Sequence, residues 1–119
     1  MTTMTYDIVK IAALNDRCRQ GLDRNARIVV TRTCLGRLAR GEGRTLEIIA
    51  QAKLMAAVRS YQFRTEDGPE RDRGEFTVGA EIVRFKIDYY DVALEYGSED
   101  PANAAITTRV MTIMLPEDD

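Results

Sequence analysis

The sequence predicts an α+β fold, two helices packed on one face of a four- or five-stranded, mainly antiparallel sheet. Two observations carry this. Apolar residues recur near every 3.6 positions in two segments of the first half, and the period changes to two after residue 75. Helices first and strands afterwards, with one early strand, make the order of a sheet covered on one side.

The first helix is expected over about 6–20. Ile8, Ile11, Ala12, Cys18 and Leu22 fit one helical face, Thr5 is a suitable N-cap, and Gly21 stands near the end. RIVVTRT is short and β-branched and predicts a strand over 27–33. CLGRLARGEGRT holds Gly36, Gly41 and Gly43 and predicts a loop or one short helical turn. In RTLEIIAQAKLMAAVRSYQF, Leu46, Ile49, Ala50, Leu54, Ala57, Val58 and Tyr61 form the apolar stripe of a second helix.

TEDGPERDRGE is polar throughout, which predicts an exposed and mobile connection. Phe76 and Val78, a Gly79-Ala80 turn, then Val83, Phe85, Ile87 and Tyr89 alternating with Arg84, Lys86, Asp88 and Tyr90 predict a half-buried hairpin. Val92, Leu94 and Tyr96 continue the alternation as a further short strand until GSEDPANA breaks it. ITTRVMTIML is ambiguous: its β-branched content and length favour a last strand, although Ile106, Val110, Ile113 and Met114 also fit a helix.

A chain of 119 residues, 45% hydrophobic and 30% charged, is expected to form one domain spanning 1–119. No apolar run is long enough for a membrane span, and the first residues lack a signal-like apolar stretch. A cytoplasmic location with reduced Cys18 and Cys34 is the expectation. Histidine is absent, which removes the usual general base and the commonest metal ligand. GEGRT at 41–45 lacks the lysine and spacing of a phosphate loop, and two cysteines do not make a zinc knuckle. The reading is therefore a protein without catalysis, cofactor or metal.

Charge divides along the chain. Residues 1–73 carry 14 Lys and Arg against 9 Asp and Glu, and residues 74–119 carry 3 against 10, so the two parts hold +5 and −7. The candidate partner-binding residues are Asp88, Tyr90, Asp91, Glu95, Glu99 and Asp100, an acidic run with a rigid aromatic anchor. The opposing candidate set is Arg17, Arg19, Arg24, Arg27, Arg32, Arg37, Arg40 and Arg44, whose guanidinium groups suit phosphate. A sequence pI near 5.2 argues against a dedicated nucleic-acid binder.

IAALND (11–16), VVTR (29–32), KIDYYD (86–91), GSEDPA (97–102) and TRVMTIML (108–115) together resemble a family of small proteins of alphaproteobacterial plasmids and prophages, the domain of unknown function 3768. Members usually carry an acidic turn with a histidine before the hairpin; here that region reads TEDGPERDRGEF, without the histidine. The resemblance implies a mobile-element protein and assigns no activity. In that setting the expected function is inhibition of a host nucleic-acid-targeting defence complex, in the manner of an anti-CRISPR. Its partner would be a protein subunit whose basic groove the acidic run fills. The alternative is a DNA-binding plasmid-maintenance or regulatory protein that uses the arginines of the first half.

Overall fold

The structure is a computed structural model. It describes residues 2–119, with side chains from Asp7 onward. Helix α1 (Thr2–Arg19) leads into strand β1 (Arg27–Val30), helix α2 (Arg32–Ala39) and helix α3 (Arg44–Arg59). Strands β2 (Arg73–Val78), β3 (Glu81–Tyr90) and β4 (Thr108–Met114) follow, with 3₁₀ turns at 65–67, 104–106 and 116–118. The sheet order is β1-β4-β3-β2. β2 pairs antiparallel with β3 and β3 antiparallel with β4, while β1 lies parallel to β4.

Three helices, not two, cover one face. Cys18, Cys34, Leu54 and Val58 of the helices form one core with Val83, Phe85, Ile87, Met111 and Ile113 of the sheet. The strand read at 27–33 stops at Val30, because Thr31 turns the chain: its hydroxyl caps the Cys34 N–H and starts α2. The glycine-marked loop there is thus a helix of two turns. Its one interior glycine, Gly36, sits on an exposed side where the missing side chain costs only propensity.

α1 already runs through Thr5, so that residue is not its N-cap. It ends as expected at Gly21, where φ is 77° and the Leu22 and Gly21 N–H groups donate to the Arg17 and Cys18 carbonyls at 2.8 and 3.1 Å. The buried face of α1 is Ala12, Asn15, Cys18 and Arg19, while Leu22 is 56% exposed. On α3 the stripe narrows to Ala50, Leu54 and Val58, and Leu46 and Ile49 remain exposed.

The segment 92–96 is a turn, not a third meander strand. Only the bridge between Tyr90 and Gly97 continues the ladder, and Leu94 takes a φ of 61°. The polar stretch 65–75 is also better tied down than its composition implies. Asp67 and Asp72 are buried; Asp67 accepts from the Tyr61 hydroxyl at 2.6 Å and the Arg64 N–H at 2.8 Å. From Arg73 onward the stretch is already β2. The last segment is a strand as read, and it is central: β4 lies between β1 and β3.

Cys18 and Cys34 are free thiols, and burial pushes each up to about 11. An unfolded thiol titrates near about 8.5. The folded state therefore holds its thiol protons more tightly, and the stability this contributes is complete below about pH 8.5 and is lost as pH rises toward 11. Urea midpoints across that window should fall with pH, and a C18A/C34A variant should show a flatter fall. Equal slopes would mean the thiols do not carry the effect.

Candidate interaction surface

Asn15 on α1, Tyr89 on β3, Pro101 in the following loop and Arg109 on β4 converge below the helices. Arg109 is 2% exposed; its Nε donates to Asn15 Oδ1 at 2.7 Å and its Nη2 to the Pro101 carbonyl at 2.6 Å. The guanidinium lies 5.1 Å from the Tyr89 ring centre. Asn15 Nδ2 in turn donates to the Tyr89 hydroxyl at 2.8 Å and the Glu70 carbonyl at 3.0 Å, and the Tyr89 hydroxyl donates to Glu70 Oε1 at 3.1 Å. Burial pulls the Arg109 pKa down, opposed by Tyr89, and pushes the Tyr89 phenol up. Four of the five motifs quoted above supply this cluster: IAALND, KIDYYD, GSEDPA and TRVMTIML.

A second junction lies beside it. The Asp16 carboxylate accepts from Arg19 at 2.9 Å and Arg71 at 2.8 Å. Arg19 reaches the Val58 and Arg59 carbonyls at the end of α3, where a cation is favoured by the helix dipole. Arg19 is thus a buried structural tie and leaves the set of phosphate candidates. The first junction is enclosed and the second half-buried, and both hold the loops in place.

The opposite sheet face carries no helix. Arg73 and Glu75 of β2, Arg84, Lys86, Asp88 and Tyr90 of β3, and Val110 and Thr112 of β4 point outward by strand alternation and register. Toward β2 a shallow recess of about 440 Å³ is lined by Arg73, Glu75, Arg84, Lys86, Asp88 and Asp119. Its cations are matched: Arg84 meets Glu75 at 2.8 Å and Asp119 at 3.5 Å, Lys86 meets Asp119 at 3.3 Å, and Arg73 meets Asp72 at 3.2 Å.

At the other end of β3 the balance differs. Asp88, Asp91, Glu95, Glu99 and Asp100 enter none of the ion pairs formed among the described residues. Asp91 Oδ1 accepts the Glu95 N–H at 3.0 Å and Asp100 Oδ1 the Ala102 N–H at 3.1 Å, so these two carboxylates shape the loop. The Ser98 N–H returns to the Tyr89 carbonyl, which brings Glu99 and Asp100 back beside the end of β3. All six candidates thus belong to one end of the sheet: Asp88 and Tyr90 on the open face, the others on the loop that leaves it.

What the alternation of 92–96 concealed is a lip. Val92, Leu94 and Tyr96 are 66, 39 and 72% exposed. Val92 and Leu94 share a recess with Asn25, Arg27 and Thr108 at the start of β1. The sequence signal for it was present in Gly97 and the aspartates, which favour turns over strands.

Among the arginines of the first half, Arg37 pairs with Glu81 at 3.7 Å and Glu117 at 3.4 Å, and Arg17 donates to the Leu22 carbonyl at 3.2 Å. Arg24, Arg27, Arg32, Arg40 and Arg44 are exposed. They are spread over the loop before β1, β1, the first turn of α2 and the turn between α2 and α3.

No helix is long and apolar enough to cross a membrane among the described residues. No group of three His, Cys, Asp or Glu side chains there is arranged to hold a metal ion.

No curated protein matches the chain, and no solved structure does. The family model described as protein of unknown function (DUF3768) matches residues 39–118. That span contains KIDYYD, GSEDPA and TRVMTIML; IAALND and VVTR precede it. With more than half of its length matched, the chain belongs to the DUF3768 family of proteins of unknown function.

Proposed function

We propose that this is a non-enzymatic binding protein of a mobile element that blocks a host nucleic-acid-targeting complex, of anti-CRISPR type, by seating its acidic end in a basic groove. The observation that supports this reading is the set of five carboxylates without a cationic partner, beside a lip carrying Tyr96 and Val92 in the open. Elsewhere most acidic side chains are matched, so this end alone presents concentrated uncompensated charge. A partner with positive charge would gain electrostatic steering from it and an aromatic anchor at its edge. The lip adds Tyr96 to the Tyr90 chosen from sequence.

The test is capture of effector subunits from lysates expressing a CRISPR complex, at low and high salt. D88N/E95Q/E99Q is expected to lower capture at least tenfold, mainly through slower association, and to leave folding intact because none of the three side chains is hydrogen-bonded or ion-paired among the described residues. Y96A should speed dissociation. Undiminished capture by both variants, or a shift of duplex DNA with no protein captured, would end this reading and return attention to the arginines.

A further inference from the structure

The two edges of the sheet are treated differently. At β2 the Glu75 N–H donates to the Tyr61 hydroxyl at 3.4 Å and its carbonyl accepts from Arg64 Nη2 at 3.3 Å, so side chains engage the middle one of that edge's outward-facing residues. At β1 no side chain and no loop backbone hydrogen-bonds Arg27–Val30 among the described residues. The Thr31 N–H donates to Ile113 on β4 at 3.0 Å, and by two-residue alternation Val29 and Arg27 also face β4. The N–H and C=O groups of Ile28 and Val30 therefore point away from the sheet. Ile28 and Val29 are 38 and 47% exposed on its two faces.

We infer that the free edge of β1 docks an extended, acidic segment of a partner protein, which joins the sheet as a fifth strand. Main-chain hydrogen bonds at Ile28 and Val30 supply affinity, and alternate apolar side chains of the segment cover Ile28 and Val29. Charge selects the occupant. Arg24, Arg27 and Arg32 are exposed, enter no ion pair among the described residues, and bracket the strand at both ends. A second copy of this chain brings the same arginines and is repelled, as charged edges ordinarily are. An acidic strand gains from them. The inference does not rest on the acidic-end reading, although the two surfaces adjoin at Arg27, which shares a recess with Val92 and Leu94.

The probe is a labelled, end-blocked peptide of alternating glutamate and valine, followed by fluorescence anisotropy, with a lysine and valine peptide and duplex DNA as comparisons. The acidic peptide is expected to bind and the basic one not. I28P deletes one outward N–H at an edge position that tolerates proline, and should weaken binding roughly tenfold, the worth of about one hydrogen bond. R24E/R32E touches no packed side chain and should weaken it by a similar factor and reduce its salt dependence. Should I28P fail to fold, as judged by thermal melting, the charge variant decides alone. Wild-type binding by R24E/R32E or by folded I28P, equal binding of both peptides, no peptide binding, preference for DNA, or self-association that I28P abolishes would each overturn the inference.

Discussion

Replacing Arg109 with alanine is expected to destabilise the protein by about 2–6 kcal/mol, the cost of leaving two buried acceptors without donors at about 1–3 kcal/mol each. Surface arginines in this chain, such as Arg84 at its solvent-screened Glu75 pair, should shift the unfolding midpoint far less by comparison. The difference lies in what is left behind. Without the guanidinium, Asn15 Oδ1 and the Pro101 carbonyl lose their donors in an enclosed site, and the Tyr89 ring loses the cation beside it. Against a total of about 5–15 kcal/mol for an ordinary domain, that loss would leave a substantial unfolded fraction. Urea titration of R109A, N15A and the double variant measures it. The two single losses should fail to add, because either one already orphans the other's partner. Additive effects, or an R109A midpoint close to wild type, would show that the cluster is not the tie described here.

Gly74→Ala is expected to cost about 1–3 kcal/mol, the usual range for overpacking a filled core. A Cβ at Gly74 would stand 2.5 Å from Tyr61 Cε2 and Cζ and 2.8 Å from Phe85 Cε1. Those rings are fixed from other sides: Tyr61 meets Phe63 and Phe85 edge-on at 4.9 and 5.4 Å, and its hydroxyl is held by Asp67. Relief requires Tyr61 to move, which also uncovers the Glu75 N–H at the edge of β2. G74A should therefore lower the melting temperature and speed hydrogen exchange at Glu75. A Y61A/G74A variant should lose less from the added methyl than G74A alone does. If the methyl costs the same with and without the Tyr61 ring, the clash is not its origin.

Periodicity made much of this fold legible, and its failures share a cause. Val83, Phe85 and Ile87 alternate because one sheet face is covered and the other is not, so their burial followed from spacing alone. The same spacing at Val92, Leu94 and Tyr96 misled, since no neighbouring strand is available there and the residues end on a turn in solvent. On α1 the error ran the other way. Asn15 and Arg19 look like surface residues in sequence, yet they are buried because partners at residues 70, 89, 109 and the end of α3 satisfy most of their polar atoms, Arg19 Nε being left without a partner among the described residues. Those partners are 39 to 94 residues away in the chain.

For the candidate surface, residue types and charge asymmetry identified the acidic run, but pairing is a property of distance. Asp119 and Glu75 carry carboxylates as Glu95 does, and Arg84 and Lys86 pair with them across the sheet, whereas Glu95 enters no ion pair among the described residues.

By itself, then, the sequence determined the α+β class, the hairpin at Gly79-Ala80, the strand character of the last segment and the membership of its motifs in one family. These are local or compositional properties, set by hydrophobic period, turn chemistry and residue identity. Only the tertiary structure decided that β1 joins β4 in parallel, that Asn15 and Arg109 meet, which carboxylates stay unpaired and which sheet edge stays open. Each of these depends on contacts between residues distant in sequence, and the burial that makes a polar pair strong or an edge available exists only once the chain has closed on itself.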